Sequence, residues 1–166
     1  MKRKFFTALV LVCVGVLSGC HADGKLYPVQ GPLASQQPPP AFPIRFTGGL
    51  SKSGEISATL NGEAFTGKWV ETTEAATKAT ANPGNTNTPV NLSPAWDAVF
   101  GSGYYTAQVL GRRDVIRGTL TGAHGTTLTV EAFQSAQNQT PNAAIAAAGV
   151  RGVATDSNGN TYKLTF

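Results

Sequence analysis

Few side chains in this 166-residue chain have the chemistry that an enzyme site requires. The two histidines stand far apart, His21 near the start of the chain and His124 in a short Ala-His-Gly segment. The acidic residues are scattered, and no Gly-x-Ser-x-Gly or Ser-x-x-Lys motif supplies an activated serine. With two cysteines and two histidines, a closed four-ligand metal site is almost excluded. The sequence therefore predicts a protein that is not an enzyme and that needs no cofactor.

One glycine-rich segment resembles a phosphate-binding loop but lacks its last element. Residues 62–68 match its Gly-x-x-x-x-Gly-Lys pattern. The next position, where a Ser or Thr hydroxyl would bind Mg²⁺, is Trp69. No helical pattern follows Lys68 to direct backbone N–H groups at a phosphate. The sequence does not predict a nucleotide site here.

The most specific signal lies in the first twenty residues. A basic segment, 2–4, precedes an apolar run from Phe5 to Leu17. That run is too short to span a bilayer, which takes about 20 residues, but it has the proportions of a secretory signal. It ends in Leu17-Ser18-Gly19-Cys20. This order, an aliphatic residue, two small residues and a cysteine, resembles the lipobox of bacterial lipoproteins.

The lipobox resemblance implies a lipid anchor. Cys20 would receive a thioether-linked diacylglycerol, become the first residue after cleavage and then be N-acylated. Three acyl chains exceed what stable anchoring requires. In this family an Asp after the cysteine retains some members in the inner membrane, and here His21 follows, which implies the outer membrane. We therefore expect a signal peptide over 1–19 and a protein held in the outer membrane by acylated Cys20.

Removal of the leader also changes the charge balance. The full chain has 13 Lys and Arg against 9 Asp and Glu, a formal charge of +4. Three of those cations, Lys2, Arg3 and Lys4, leave with the leader, so the mature chain is nearly neutral. A nucleic-acid partner is therefore not expected. The expected partners are membrane lipid, through Cys20, and an envelope protein or glycan.

The segment after the lipobox is rich in proline. Six prolines fall between Cys20 and Pro43, and three of them, Pro38 to Pro40, are consecutive. Consecutive prolines favour the extended polyproline II conformation. We therefore expect residues 20–43 to form a lipidated tether and residues 44–166 to form the folded domain.

Residues 44–166 have the pattern of an antiparallel sheet. Apolar and polar residues alternate in several short runs that are rich in Thr and aromatic residues. These runs are 56–60, 65–69, 105–109, 116–120, 128–132, 150–154 and 162–166. Ser93-Pro94 and Gly101 frame one short helix, and Thr140-Pro141 and Gly149 frame another. The prediction is an all-β fold, a small antiparallel barrel or sandwich of six to eight short strands with one or two helical turns.

Two further resemblances suggest particular kinds of barrel. Gly67-Lys68-Trp69 resembles the Gly-x-Trp of the first strand of lipocalins, and Thr66 to Trp69 resembles the first strand of avidins. Both families are ligand-holding barrels, which implies a pocket near Trp69, Trp96 and Tyr105. Tyr162 to Phe166 resembles the C-terminal signal of outer-membrane β-barrels, although its alternation also suits a last strand that ends on a core Phe.

Four arginines complete the set of candidate residues. A faint repeat relates 116–121 to 150–155, and each copy carries an Arg-Gly pair. We expect a basic rim near the two repeat strands, beside a long loop over 71–91. Its members are Arg112, Arg113, Arg117 and Arg151. The leading hypothesis is a non-catalytic interaction or structural module; the alternatives are a small-ligand barrel, a small membrane β-barrel and a hydrolase.

Overall fold

A computed structural model describes residues 21–48, 52–72, 90–134 and 149–166. Eight antiparallel strands form a closed barrel in which every strand pairs with its neighbours along the chain and β8 pairs with β1. The strands are β1 His21–Gln30, β2 Phe42–Thr47, β3 Ser53–Leu60, β4 Glu63–Glu71, β5 Val115–Gly122, β6 Thr127–Gln134, β7 Val150–Asp156 and β8 Thr161–Thr165. The prediction of an all-β fold with six to eight strands is confirmed, and the architecture is a barrel.

The helical elements are short. A 3₁₀ turn, Pro32–Ser35, lies between β1 and β2, and helix α1, Ser93–Phe100, lies between β4 and β5. The helix predicted after Asn91 is confirmed, with Pro in its first turn and Gly101 at its end. The N-cap residue is Leu92 rather than the predicted Ser93, and it makes no side-chain capping hydrogen bond. The Asn91 side chain before it accepts hydrogen bonds from the backbone and hydroxyl of Ser93.

The prediction of a tether over 20–43 is wrong for the residues that the structure describes. His21–Gln30 is a ten-residue strand, hydrogen-bonded to β2 on one side and to β8 on the other. Its proline, Pro28, lies where the β1–β8 register shifts, a position at which a missing N–H is tolerated. Pro38 to Pro40 belong to the connection between β1 and β2. The folded domain therefore includes His21 and the strand residues that follow it.

A strand over 105–109 is likewise absent. Tyr105–Val109 is a π-helical turn that follows α1. Tyr105 and Val109 are buried whereas Ala107 between them is exposed. Burial four residues apart is the helical period, so the apparent alternation of apolar residues was misleading.

The barrel interior is filled by apolar side chains. Alternate residues of the strands point inward, among them Ile44, Ile56, Trp69 and Leu120. Tyr162 and Leu164 of β8 are fully buried in this core, and Phe166 packs against it. The C-terminal alternation is therefore that of a strand whose apolar residues face inward. The core strand with a terminal Phe, the more ordinary interpretation of these residues, agrees with the structure.

A second core lies on the outer face of β5, β6 and β7. There α1 and the π-helical turn cover apolar residues that the barrel points outward, such as Val115, Phe133 and Val153. Trp96 of α1 is the largest side chain in this layer and is fully buried. The protein is therefore a barrel with one helical layer against part of its wall.

Strand direction defines two ends of the barrel. The His21 end carries the start of β1, the end of β2 and the start of β3, residues 112–114 before β5, and the β6–β7 ends at 134 and 149–151. The hairpin end carries residues 30–42, 60–63, 122–127 and 156–161. Because β1 begins at residue 21, Cys20 precedes the first strand directly.

Some predictions lie outside the described residues. They are the signal peptide 1–19, Cys20, most of the 71–91 loop and the short helix framed by Thr140 and Gly149. Within the described ranges, no helix is both long enough and apolar enough to cross a membrane.

Candidate functional site

A row of aromatic rings runs from the buried helical layer to the surface near the His21 end. Trp96 stacks on Phe100 and on Tyr104, with ring centroids 5.4 and 5.9 Å apart. Phe100 and Tyr104 stack on each other at 4.8 Å. Phe133 of β6 lies 5.4 Å from Trp96. Phe100 and Tyr104 are only half-buried, so the row presents ring surface to a ligand.

Arg112 borders this row on the side of β5. Its guanidinium lies 4.1 Å above the centroid of the Phe133 ring, close enough for a cation–π contact. The same group donates to both carboxylate oxygens of Asp114 and to the backbone oxygen of Gln134. Arg112 is thus held in place and largely neutralised.

Arg151 borders the row on the side of β7 and has different partners. Its Nη1 donates to the Tyr104 hydroxyl at 2.9 Å, and its guanidinium lies 5.9 Å from the centroids of both Phe100 and Tyr104. The Lys163 ammonium lies 5.9 Å from the Phe100 centroid. Within the described parts of the chain, no salt bridge joins Arg151 or Lys163 to a carboxylate. These two cations therefore give the site a net positive charge.

These residues line a groove of about 560 Å³, which we call the arginine groove. Its wall consists of Phe100, Gly101, Ser102, Gly103, Tyr104, Ala107, Gln108, Arg112, Phe133 and Arg151. Guanidinium groups bind carboxylates and phosphates through paired hydrogen bonds, and ring faces pack against apolar surface. The groove is therefore suited to a ligand that joins a negative group to an apolar or flat part.

The structure brings together two of the four arginines of the predicted rim. Arg112 and Arg151 both line the arginine groove, on either side of Phe133. Arg113 is exposed at the His21 end. Arg117 lies beneath the helical layer, where its Nε donates to Glu131 at 2.8 Å and where Glu131 has no exposed surface. The four arginines therefore do not form one continuous rim.

The three residues of the predicted pocket are also separated. Trp69 points into the barrel, where its indole Nε1 donates to the backbone oxygen of Thr47 at 2.8 Å. Trp96 and Tyr105 lie in the second core, on the outer face of the wall. Since the sheet stands between them, these residues cannot line one pocket.

Burial affects the phenols of two tyrosines. Desolvation, with the negative charge of Glu131 as a further cause, raises the pKa of Tyr105 to about 12. Burial and the hydrogen bond to Asp156 raise the pKa of Tyr162 far above its ordinary value. Neither phenol is therefore placed to act as an acid or base near neutral pH.

The hairpin end has a cavity of its own. It has a volume of about 460 Å³ and is bordered by Leu33, Phe65, His124 and Tyr162 among others. Asp156 there accepts hydrogen bonds from Asn160 and from the Tyr162 hydroxyl, and the Asn160 amide oxygen accepts from the backbone of Leu33. The 3₁₀ turn is thereby fixed beside the barrel mouth. Across the described ranges, no group of three or more His, Cys, Asp or Glu side chains could hold a metal ion.

Sequence reasoning missed most of the aromatic part of the groove. Trp96 was named as a candidate pocket residue, and it stacks on Phe100 of the same helix. Tyr104, Phe133 and Lys163 were not singled out, because they reach the groove only through strand pairing and the turn after Gly101. For Tyr104 alone there was a local signal, the density of aromatic residues between 96 and 105.

Comparison with protein-family models, with curated proteins and with solved structures finds no match for this chain.

Proposed function

We propose that this protein is a lipid-anchored outer-membrane lipoprotein whose β-barrel is a non-catalytic binding module of the cell envelope. The arginine groove is its binding site, and the ligand carries a negatively charged group. The lipobox at Leu17–Cys20 supports the anchor, and Cys20 is the acylated residue. The fold is consistent with a single domain that begins immediately after that cysteine.

The distribution of polar residues supports a barrel that stands outside the bilayer. Its interior is apolar, whereas its outer wall carries exposed charges such as Lys25, Arg45 and Lys68. A membrane-spanning barrel needs the opposite, an apolar band on its outer wall. The alternative of a small membrane β-barrel is therefore less well supported than an anchored soluble domain.

One observation carries the binding proposal. Arg151 lies at the surface with Tyr104 as its hydrogen-bond partner and two aromatic rings beside it. No carboxylate among the described residues pairs with it. An arginine held against rings in this way is a common element of anion recognition. The filled barrel core gives less support to a ligand held inside the barrel.

Replacement of Cys20 tests the anchor. Cys20→Ser should abolish incorporation of labelled palmitate and release the protein from the membrane fraction, because the thioether can no longer form. His21→Ser is the matched control, since it alters the neighbouring residue and keeps the thiol. Full membrane retention of Cys20→Ser would show that the protein is held in some other way.

Substitution in the groove tests the binding site. Arg151→Glu should abolish the adducts that native mass spectrometry detects on the wild-type protein after purification from the envelope. Lys25→Glu, the same change of charge on the outer wall of β1, should leave them in place. Adducts that persist in Arg151→Glu would place the ligand elsewhere.

A second function, the transport of a small ligand, has its own supporting observation. The hairpin-end cavity opens between the 3₁₀ turn and the turns at 61–63 and 124–126, and core residues such as Phe65 and Tyr162 form its floor. A Tyr162→Trp variant would fill this space. If adducts on the wild-type protein disappear in that variant but survive in Arg151→Glu, the carrier function is favoured.

A further inference from the structure

We propose that the His21 end of the barrel lies on the membrane that holds Cys20, and that the arginine groove binds the anionic headgroup of a lipid in that membrane. The inference rests on the proposed acylation of Cys20. It adds an orientation for the domain and a chemical class for the ligand.

Cys20 lies directly before the first strand of the barrel, with no spacer between them. Cys20 is one residue from His21, and His21 already pairs with Thr47 of β2. A strand advances by roughly 3.3 Å per residue, whereas the polar interface on each side of a bilayer is roughly 5–7 Å thick. An acylated Cys20 therefore keeps the start of β1 within the headgroup region.

The arginine groove lies at that same end of the barrel. Arg112 precedes β5 by three residues, Phe133 is the last but one residue of β6, and Arg151 is the second residue of β7. β5 and β7 begin at the His21 end and β6 ends there. The groove therefore opens close to the membrane rather than toward the periplasm or the cell exterior.

The two ends of the barrel differ in charge. At the His21 end the described residues include five cations, Arg45, Lys52, Arg112, Arg113 and Arg151, opposed by four acids, Asp23, Glu55, Glu71 and Asp114. At the hairpin end the described charged residues are Glu63 and Asp156, with no Lys or Arg among residues 30–42, 60–63, 122–127 and 156–161. The end beside the anchor is thus attracted to a negative lipid surface and the far end is repelled.

The chemistry of the groove fits the same partner. A lipid phosphate offers the oxygen pair that a guanidinium such as that of Arg151 binds. Half-buried rings such as Phe100 and Tyr104 are the side chains that favour the boundary between headgroups and acyl chains. A ligand that combines a phosphate with acyl chains beneath it therefore suits both parts of the groove.

The depth of the groove can be measured on the acylated protein. After processing and acylation the chain has no free thiol, so an introduced cysteine is its single reactive site. Ser102→Cys in the groove and Asn158→Cys at the hairpin end would each carry a fluorophore, in vesicles of phosphatidylcholine and phosphatidylglycerol that contain a headgroup-linked quencher. We expect quenching at residue 102 and none at residue 158. Equal quenching at both residues, or none at 102, would overturn the orientation.

A variant that moves a cation without changing the total charge of the protein tests the role of charge. Arg151→Gln combined with Asn158→Arg transfers one positive charge from the groove to the far end. It should lower the apparent affinity of the protein for dihexanoylphosphatidylglycerol, a short-chain soluble lipid, by about fivefold. Asn158→Arg alone should not lower that affinity. Arg113→Gln, which removes an exposed cation outside the groove wall, is a second variant for comparison. An unchanged affinity in the double variant, or equal competition by a polyglutamate peptide, would exclude a headgroup site.

Failure of the anchor and failure of the inference have different signatures. If the mass of the protein shows no acyl chains on Cys20, the proposed anchor is wrong. If the acyl chains are present but residue 102 remains unquenched, the anchor stands and the membrane-facing groove is wrong.

Discussion

Arg117 and Glu131 face each other across β5 and β6, and their side chains form an ion pair of 2.8 Å beneath the helical layer. The carboxylate of Glu131 also accepts a hydrogen bond of 2.7 Å from the indole of Trp96. Glu131 has no exposed surface, and Arg117 is 14% exposed. One carboxylate therefore joins α1 to the barrel wall.

Glu131→Gln should strongly destabilise the protein. The substitution keeps the shape of the side chain but leaves the Arg117 charge without its partner, which typically costs about 3–5 kcal/mol. Urea denaturation would give the free energy of unfolding. Asp114→Asn, in an ion pair whose carboxylate is 43% exposed, should cost below about 1 kcal/mol. Equal losses of unfolding free energy in the two variants would contradict the conclusion that the buried Glu131 carboxylate joins α1 to the barrel wall.

Gly67 lies where the backbones of β4 and β5 pass close together. A Cβ atom at this residue would stand 1.9 Å from the backbone oxygen of Thr119, which cannot move without disturbing the sheet. Gly67→Ala should therefore cost at least about 2–3 kcal/mol. Gly118→Ala, whose Cβ would meet its nearest atom at 3.2 Å, should cost clearly less. Thermal unfolding of the two variants in parallel measures the difference.

The raised pKa of Tyr105 predicts a loss of stability at alkaline pH. The folded state holds the phenolic proton more tightly than the unfolded chain, whose pKa is near 10.0. The protonated Tyr105 phenol therefore contributes its full stabilisation of the folded state below pH 10.0. This stabilisation is lost as the pH rises toward about 12. Tyr105→Phe should reduce this pH dependence, whereas Tyr27→Phe, at a ring 37% exposed, should not. Unfolding in urea at a series of pH values tests the prediction, which fails if the two variants give the same slope.

Asp156 organises the turn between β7 and β8. It accepts hydrogen bonds from the backbones of Asn158 and Asn160, from the Asn160 amide and from the Tyr162 hydroxyl. Asp156→Ala removes all of these and should cost about 2–3 kcal/mol, since several donors lose their partner. Tyr162→Phe removes one bond and should cost about 1 kcal/mol. If the ratio of the two losses in urea denaturation is reversed, the turn is held by other contacts.

The strand content could be predicted because the inward-facing residues of this barrel alternate along the chain. The segments around Ile56, Leu120 and Leu164 show that alternation, and each is a strand. The first strand was missed because the prolines of residues 21–43 favoured an extended tether. Only pairing with β2 and β8, which lies far from local sequence, makes residues 21–30 a strand.

The groove was less accessible to prediction than the fold. Arg112 and Arg151 were both selected as surface cations, but nothing local shows that Arg117, in the same Arg-Gly pattern as Arg151, is covered. The difference lies across the sheet: Arg117 pairs with Glu131, and Arg151 pairs with Phe133. The cross-strand neighbour of each arginine determines whether its side chain is covered or exposed. That neighbour depends on the strand register, which the sequence does not show.

The pairing of β1 with β8 has a consequence for the order in which the protein folds. A protein chain is made from its N-terminus, so β1 is available long before β8. Until β8 arrives, β1 and β7 each expose an unpaired edge, the kind of surface on which chains associate wrongly. The contact between residues 25 and 165 closes the barrel and must bridge almost the whole domain, which makes closure a late and slow event. Such a chain has reason to depend on a chaperone during that interval.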